Sequence, residues 1–204
     1  MPRSRMDELL AVAEENDGFV TANQARKAGI VGSVLARLAQ RGKLERAARG
    51  VYRIPYFPLA RFSQYREALL WVRSDAGPEN VALSHETALA VYGITDVNPS
   101  IVHITIPRQS RLRRNQPKWI LLHRAELQSN DVIEHEGLPI TTIARTTMDV
   151  LTSTGRIELI RTAISDARRE GYLSKTEADQ LRKQVNKYVR GLAQNTQARK
   201  KRKL

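Results

Sequence analysis

Cysteine is missing from all 204 residues, so disulfides, thiolate metal sites and cysteine nucleophiles are excluded. A reducing compartment is compatible with that composition. No stretch approaches the ~20 apolar residues of a membrane span. The opening MPRSRMDELLAVAEEN is charged throughout and lacks the apolar run of a signal peptide. Together these absences predict a soluble, cytoplasmic protein with no membrane partner. Catalytic signatures are missing as well: there is no G-x-S-x-G elbow, glycine-rich phosphate loop or dinucleotide fingerprint. His85-Glu86 begins like H-E-x-x-H, but the position that needs the second histidine is Leu89. The four histidines, His85, His103, His123 and His135, show no metal-ligand spacing. Asp and Glu stand singly through the strand region, whereas a nuclease needs clustered carboxylates to hold Mg²⁺. The expectation is a protein that is not an enzyme, with no catalytic residue, no cofactor and no bound metal.

What is abundant is positive charge. Lys and Arg number 34 against 21 Asp and Glu, a formal charge of +13 and a pI near 10.5. Such an excess favours a polyanionic partner, because each neutralised phosphate releases condensed counterions. A hydrophobic content of 41% is enough for a real core, which argues against general disorder.

The stretch Gly18 to Ile54 has the element order of a winged helix-turn-helix. A helix over residues 4–15 precedes it, with Met6, Leu9, Leu10 and Ala13 at helical spacing. Phe19-Val20 reads as a short extended link. Thr21 and Gln24 then have capping-box spacing and open a helix over residues 22–28, which Gly29 closes. Gly32-Ser33 starts a second helix with Val34, Leu35 and Leu38 inside, ended by Gly42. Its outer face carries Ser33, Arg37, Gln40 and Arg41. The N-terminal part of such a helix enters the major groove, where Arg pairs bidentately with guanine and Gln with adenine. Ser33 can cap the helix, bond a phosphate, or do both. Two strands follow, Lys43–Arg46 and Val51–Ile54, around an Ala47–Gly50 turn, leaving Arg46, Arg49 and Arg53 outward or at the tip. The expected DNA contacts are Thr21, Ser33, Arg37, Gln40, Arg41, Lys43, Arg49 and Arg53.

Pro55-Tyr56-Phe57-Pro58 punctuates the chain and marks an expected domain boundary. Beyond it, helices are expected over residues 61–74, 85–92, 144–151, 157–170 and 174–188, the last opened by a Ser174/Glu177 capping box and the second capped by Ser84. Strands are expected at residues 101–106 and 119–123, with a hairpin around Glu136-Gly137. The fold class is therefore α+β: an N-terminal winged helix-turn-helix (1–55), a larger mixed α/β domain with helices flanking a small sheet (56–190), and a basic flexible tail (191–204). Residues 107–118 carry Arg108, Arg111, Arg113, Arg114 and Lys118 with no acidic residue. That loop can bind nucleic acid, meet an acidic partner surface, or simply stand in solvent. The C-terminal RKKRKL adds either sequence-independent attraction to DNA or nothing. Arg145 and Asp149 are four apart on a helix and read as an ion pair, with Thr146 beside them.

The run GFVTANQARKAGI…SVLARLAQRGKLERAARGVYRIP resembles the winged N-terminal domain of the AbiEi-family antitoxins. LSHETALAVYGI (Leu83–Ile94) and GLPITTIARTTMDVL (Gly137–Leu151) resemble patches of that family's C-terminal antitoxin domain. The resemblance covers roughly residues 5 to 170. It implies an antitoxin that binds double-stranded operator DNA, represses its own operon and counteracts a cognate nucleotidyltransferase toxin, directly or indirectly, in phage defence. It places His85, Arg145, Thr146 and Asp149 in the antitoxin-domain patch. A stand-alone winged-helix regulator with a C-terminal ligand- or partner-sensing domain is the other reading of the same residues.

Overall fold

Ser4 and Asp7 cap each other reciprocally and start the first helix, α1 (Arg5–Glu14), whose Leu9 and Ala13 are fully buried. The computed structural model describes residues 4–74, 77–112 and 115–201. Among them the chain is mixed α+β, with eight helices and eight strands. It divides into two units, Met1–Leu83 with Ile101–Leu127, and Ser84–Ser100 with Gln128–Leu204. No helix among the described residues is long and apolar enough to cross a membrane.

In the first unit, β1 (Phe19–Thr21) leads into α2 (Ala22–Lys27) and α3 (Gly32–Gln40), followed by β2 (Glu45–Ala48) and β3 (Val51–Arg53). The strands form one antiparallel sheet in the order β1-β3-β2. Phe19-Val20, read from sequence as a link, is thus a full member of the wing sheet, because its ladder partners Tyr52 and Arg53 arrive much later in the chain. The helices and sheet close on Leu9, Ala13, Val20, Ala25, Ile30, Leu35, Leu44 and Ile54. Phe57 packs against this cluster, while Tyr56 is wholly exposed.

Beyond the two prolines the chain packs back onto the wing strands. Helix α4 (Ser63–Arg73) contacts β1, β2 and β3, and its Arg66 donates to Asp17 at 2.5 Å. Two residues of β4 (Ala82–Leu83) pair antiparallel with β5 (Val102–Ile106), which runs parallel to β6 (Ile120–Arg124). The basic loop therefore joins parallel neighbours and has to travel back along the sheet, so it is not a hairpin loop.

The second unit holds α5 (His85–Tyr92), the hairpin β7 (Val132–His135) and β8 (Leu138–Thr141), then α6 (Ile143–Thr154), α7 (Ile157–Arg169) and α8 (Lys175–Lys201). Glu136 and Gly137 both take positive φ, 54° and 67°, as a two-residue hairpin turn of this hand requires. Helix α7 buries Ile160, Ala163, Ile164 and Ala167 along one stripe. Helix α8 buries Ala178, Leu181 and Val185, and the Ser174/Glu177 cap forms as expected. It continues well past Tyr188, through the stretch 191–201 that the sequence reading assigns to the tail.

Candidate nucleic-acid interface

Thr21 places the helix-turn-helix. Its hydroxyl accepts from the Gln24 amide at 3.1 Å, and Gln24 Oε1 accepts from the Thr21 amide at 2.9 Å. The residue also belongs to β1 and is 5% exposed. Thr21 is one of the expected DNA contacts; its hydroxyl is buried and engaged in the cap, where it sets the start of α2. Gly29, at φ 76°, makes the left-handed turn between α2 and α3, and nothing lies within 4 Å of where its Cβ would be. Leu35 anchors α3 inward at full burial.

Burial of Leu35 turns the opposite face to solvent. Ser33, Arg37, Gln40 and Arg41 are all exposed and lie on one side of the helix. No ion pair among the described residues engages Arg37 or Arg41. Ser33 does not cap: the N-cap is Val31, which makes no side-chain bond, so the Ser33 hydroxyl stands free in the first turn. That position, beside the unpaired N–H groups of a helix start, suits a phosphate. Lys43 is exposed just beyond α3.

The wing tip is the two-residue turn Arg49-Gly50, with Gly50 at φ 77° and Arg49 exposed. Arg53 departs from expectation. Its guanidinium lies 3.1 Å from Glu45 and donates to the Phe57 carbonyl at 2.9 Å, and its side chain is 21% exposed. Strand pairing sets Glu45 directly opposite Arg53, so within the protein the cation closes the base of the wing. The sequence spacing could not show that pairing.

Of the downstream basic residues, Arg108, Arg111 and Lys118 are exposed. Arg113 and Arg114 lie outside the described residues. Arg124, which the sequence reading did not single out, comes close enough to the loop to donate to the Ser110 carbonyl.

The third expected patch is internal. Arg145 donates to Asp149 at 2.9 Å and to Asp131 at 2.8 Å, tying α6 to the start of the β7–β8 hairpin. Thr146 is fully buried, its hydroxyl 2.6 Å from that of Thr141. His85 is buried at φ 53° with Nδ1 2.9 Å from the Ser84 hydroxyl, a pairing that replaces the helix cap expected of Ser84. Burial pushes the Asp149 carboxyl up against the pull of Arg145. Burial also draws Arg145 down, but the bonds and charges of Asp149 and Asp131 outweigh it and hold the guanidinium above its ordinary value. Replacing Arg145 with Met leaves two carboxylates facing each other, one of them with a buried oxygen that has no partner. We expect a loss of about 2 kcal/mol, between exposed-pair and buried-pair values, read from the urea midpoint at neutral pH.

Histidines far apart in sequence also meet. His103 Nδ1 lies 3.1 Å from His123 Nε2, with ring planes 18° apart. Two imidazole nitrogens at that separation share one proton, or reach a single Zn²⁺ or Cu²⁺ at ~2.0–2.1 Å. Burial, and then His103, hold His123 down to about 4. The unfolded chain therefore takes up this proton first as pH falls. The stabilising effect is complete above about pH 6.5 and is lost as pH drops toward 4. A series of urea midpoints over that window should fall less steeply in a His123→Gln variant; parallel curves would remove His123 as a cause.

Residues 7–55, the N-terminal region, match the family described as "Transcriptional regulator, AbiEi antitoxin". The match stops short of Leu83–Ile94 and Gly137–Leu151. None of the curated proteins matches the chain. Among solved structures, the RV2827C protein from Mycobacterium tuberculosis is similar with a TM-score of 0.55 at 17% identity, over 91% of this chain and 77% of that one. At that identity the likeness shows the fold alone.

Proposed function

We propose that this chain is an antitoxin that represses its own operon by binding promoter DNA and counteracts a nucleotidyltransferase toxin encoded beside it. One observation carries the reading: the segment that matches the AbiEi antitoxin regulators is the same segment that presents Arg37, Gln40 and Arg41 on one exposed helix face. Residues 1–55 are the DNA-binding part of this proposal. Helix α3 would lie in the major groove with Arg37 and Gln40 on base edges, while Ser33, Arg41, Lys43 and Arg49 meet phosphates. Promoter occupancy is sufficient for repression, and neither step requires a catalytic group or cofactor. The proposed place of action is the cytoplasm, where promoter and toxin are found.

A second reading is favoured by the extent of the family match, which ends at residue 55. On that reading the chain is a stand-alone regulator whose remaining residues sense a ligand or partner. Co-expression separates the two. The product of the neighbouring gene should arrest growth when expressed alone, and this chain should restore it. Arrest that persists with the chain present, while the promoter stays repressed, would leave only the regulator.

A further inference from the structure

Arg108, Arg111 and Arg124 line one cavity of about 550 Å³ together with Gln109 and Ser110. Topology brings them there. In the parallel register Ile106 lies opposite Arg124, so β5 and β6 finish at the same end. The chain leaves β5 at Pro107 and carries Arg108 and Arg111 past that end before turning back to begin β6. Arg124 Nη1 donates to the Ser110 carbonyl, which holds the loop over the strand terminus. The Arg108 amide makes a longer bond, 3.4 Å, to Glu126 Oε1. Among the described residues no acidic side chain lines the cavity, and no ion pair engages any of its three arginines.

We infer that this cavity is a phosphate site whose ligand is the phosphodiester backbone of a nucleic acid. Three guanidinium groups present planar forks that fit phosphate oxygens two at a time, and Gln109 and Ser110 add neutral donors. Every residue lining it is charged or polar and none is hydrophobic, whereas a protein partner would ask for an apolar centre inside a polar rim. The net charge of +13 points to the same class of ligand. The site lies outside the helix-turn-helix and wing, so it adds affinity without reading sequence. It holds or fails independently of the toxin–antitoxin reading.

The test uses the full chain and a short DNA duplex lacking its promoter sequence, with binding followed by fluorescence anisotropy across a salt series. An Arg108→Gln, Arg111→Gln, Arg124→Gln variant should bind about 10-fold more weakly at low salt. Its slope of log affinity against log salt should shrink by about 1–2, as expected for one or two lost phosphates. A triple Arg→Lys variant should keep most of the slope, which a purely structural role for the loop would not predict. An unchanged slope in the Gln variant overturns the site, as does an equal loss in the Lys variant. If the Gln variant does not fold, Arg111→Gln alone supplies the answer, since its guanidinium makes no bond among the described residues: its slope should fall by about 0.9, and no change overturns the site. A Gln variant that keeps the wild-type slope but fails to bind the neighbouring gene product would assign the cavity to a protein instead.

Discussion

A variant carrying both Arg37→Ala and Gln40→Ala should lose about 4 kcal/mol of affinity for its own promoter, on the order of a thousandfold, taking ~2 kcal/mol for each bidentate base contact. Both side chains are exposed on α3 and lie on the face opposite the buried Leu35, so the fold should not register their removal. The melting temperature should therefore match that of the parent. Affinity for unrelated DNA should drop by far less than affinity for the promoter, because base contacts carry the discrimination and phosphates the general attraction. Anisotropy titrations of the two duplexes at one fixed salt concentration give the comparison. Equal losses on both duplexes would make Arg37 and Gln40 phosphate contacts and leave the reading of sequence to other residues. No loss on either would take α3 out of the groove.

The largest effect on stability is expected at Gly18. Its φ is +85°, and a Cβ built there would lie 2.6 Å from Cγ of Phe57. Its carbonyl accepts from the Ile54 amide at 2.8 Å, which fixes the backbone at the junction of β1 and β3. Gly18→Ala therefore meets two penalties at once, roughly 1 kcal/mol for the left-handed backbone and roughly 2 kcal/mol for displacing a packed aromatic ring. A total near 3 kcal/mol is a large share of the 5–15 kcal/mol typical of a domain. The two parts can be separated by repeating the substitution in a Phe57→Ala background. There the steric part should vanish and only the backbone part remain; a cost that stays the same would place all the strain in the backbone.

Elements set by local chemistry were legible in the sequence. The Thr21/Gln24 and Ser174/Glu177 caps, the turns at Gly29 and Glu136-Gly137, and the helix over residues 157–170 all depend on residues within a turn or two of one another. So does the outward face of α3, because the period of a helix alone sends Arg37 and Gln40 away from Leu35. What could not be read depends on partners distant in the chain. Phe19-Val20 becomes a strand only when residues 52–53 arrive beside it, and Arg53 is drawn inward by Glu45 across a ladder. The parallel pairing of β5 with β6 turns a supposed loop charge run into a cavity with Arg124. His103 and His123 meet for the same reason. The Arg145–Asp149 pair was legible as an ion pair within one helix, but Asp131 lies just before β7, so the second half of that pairing was hidden.

The division of the chain also bears on how the protein is made. The first unit takes residues 1–83 and 101–127, and the second takes 84–100 and 128–204. On the ribosome the first cannot be completed until residue 127 has emerged, and the helix α5 must wait for α6 and the β7–β8 hairpin. One part escapes this delay. The cluster around Leu9, Leu35 and Ile54, with Phe57 against it, is contiguous in the chain, so the winged element can close during synthesis while everything after it is still being added.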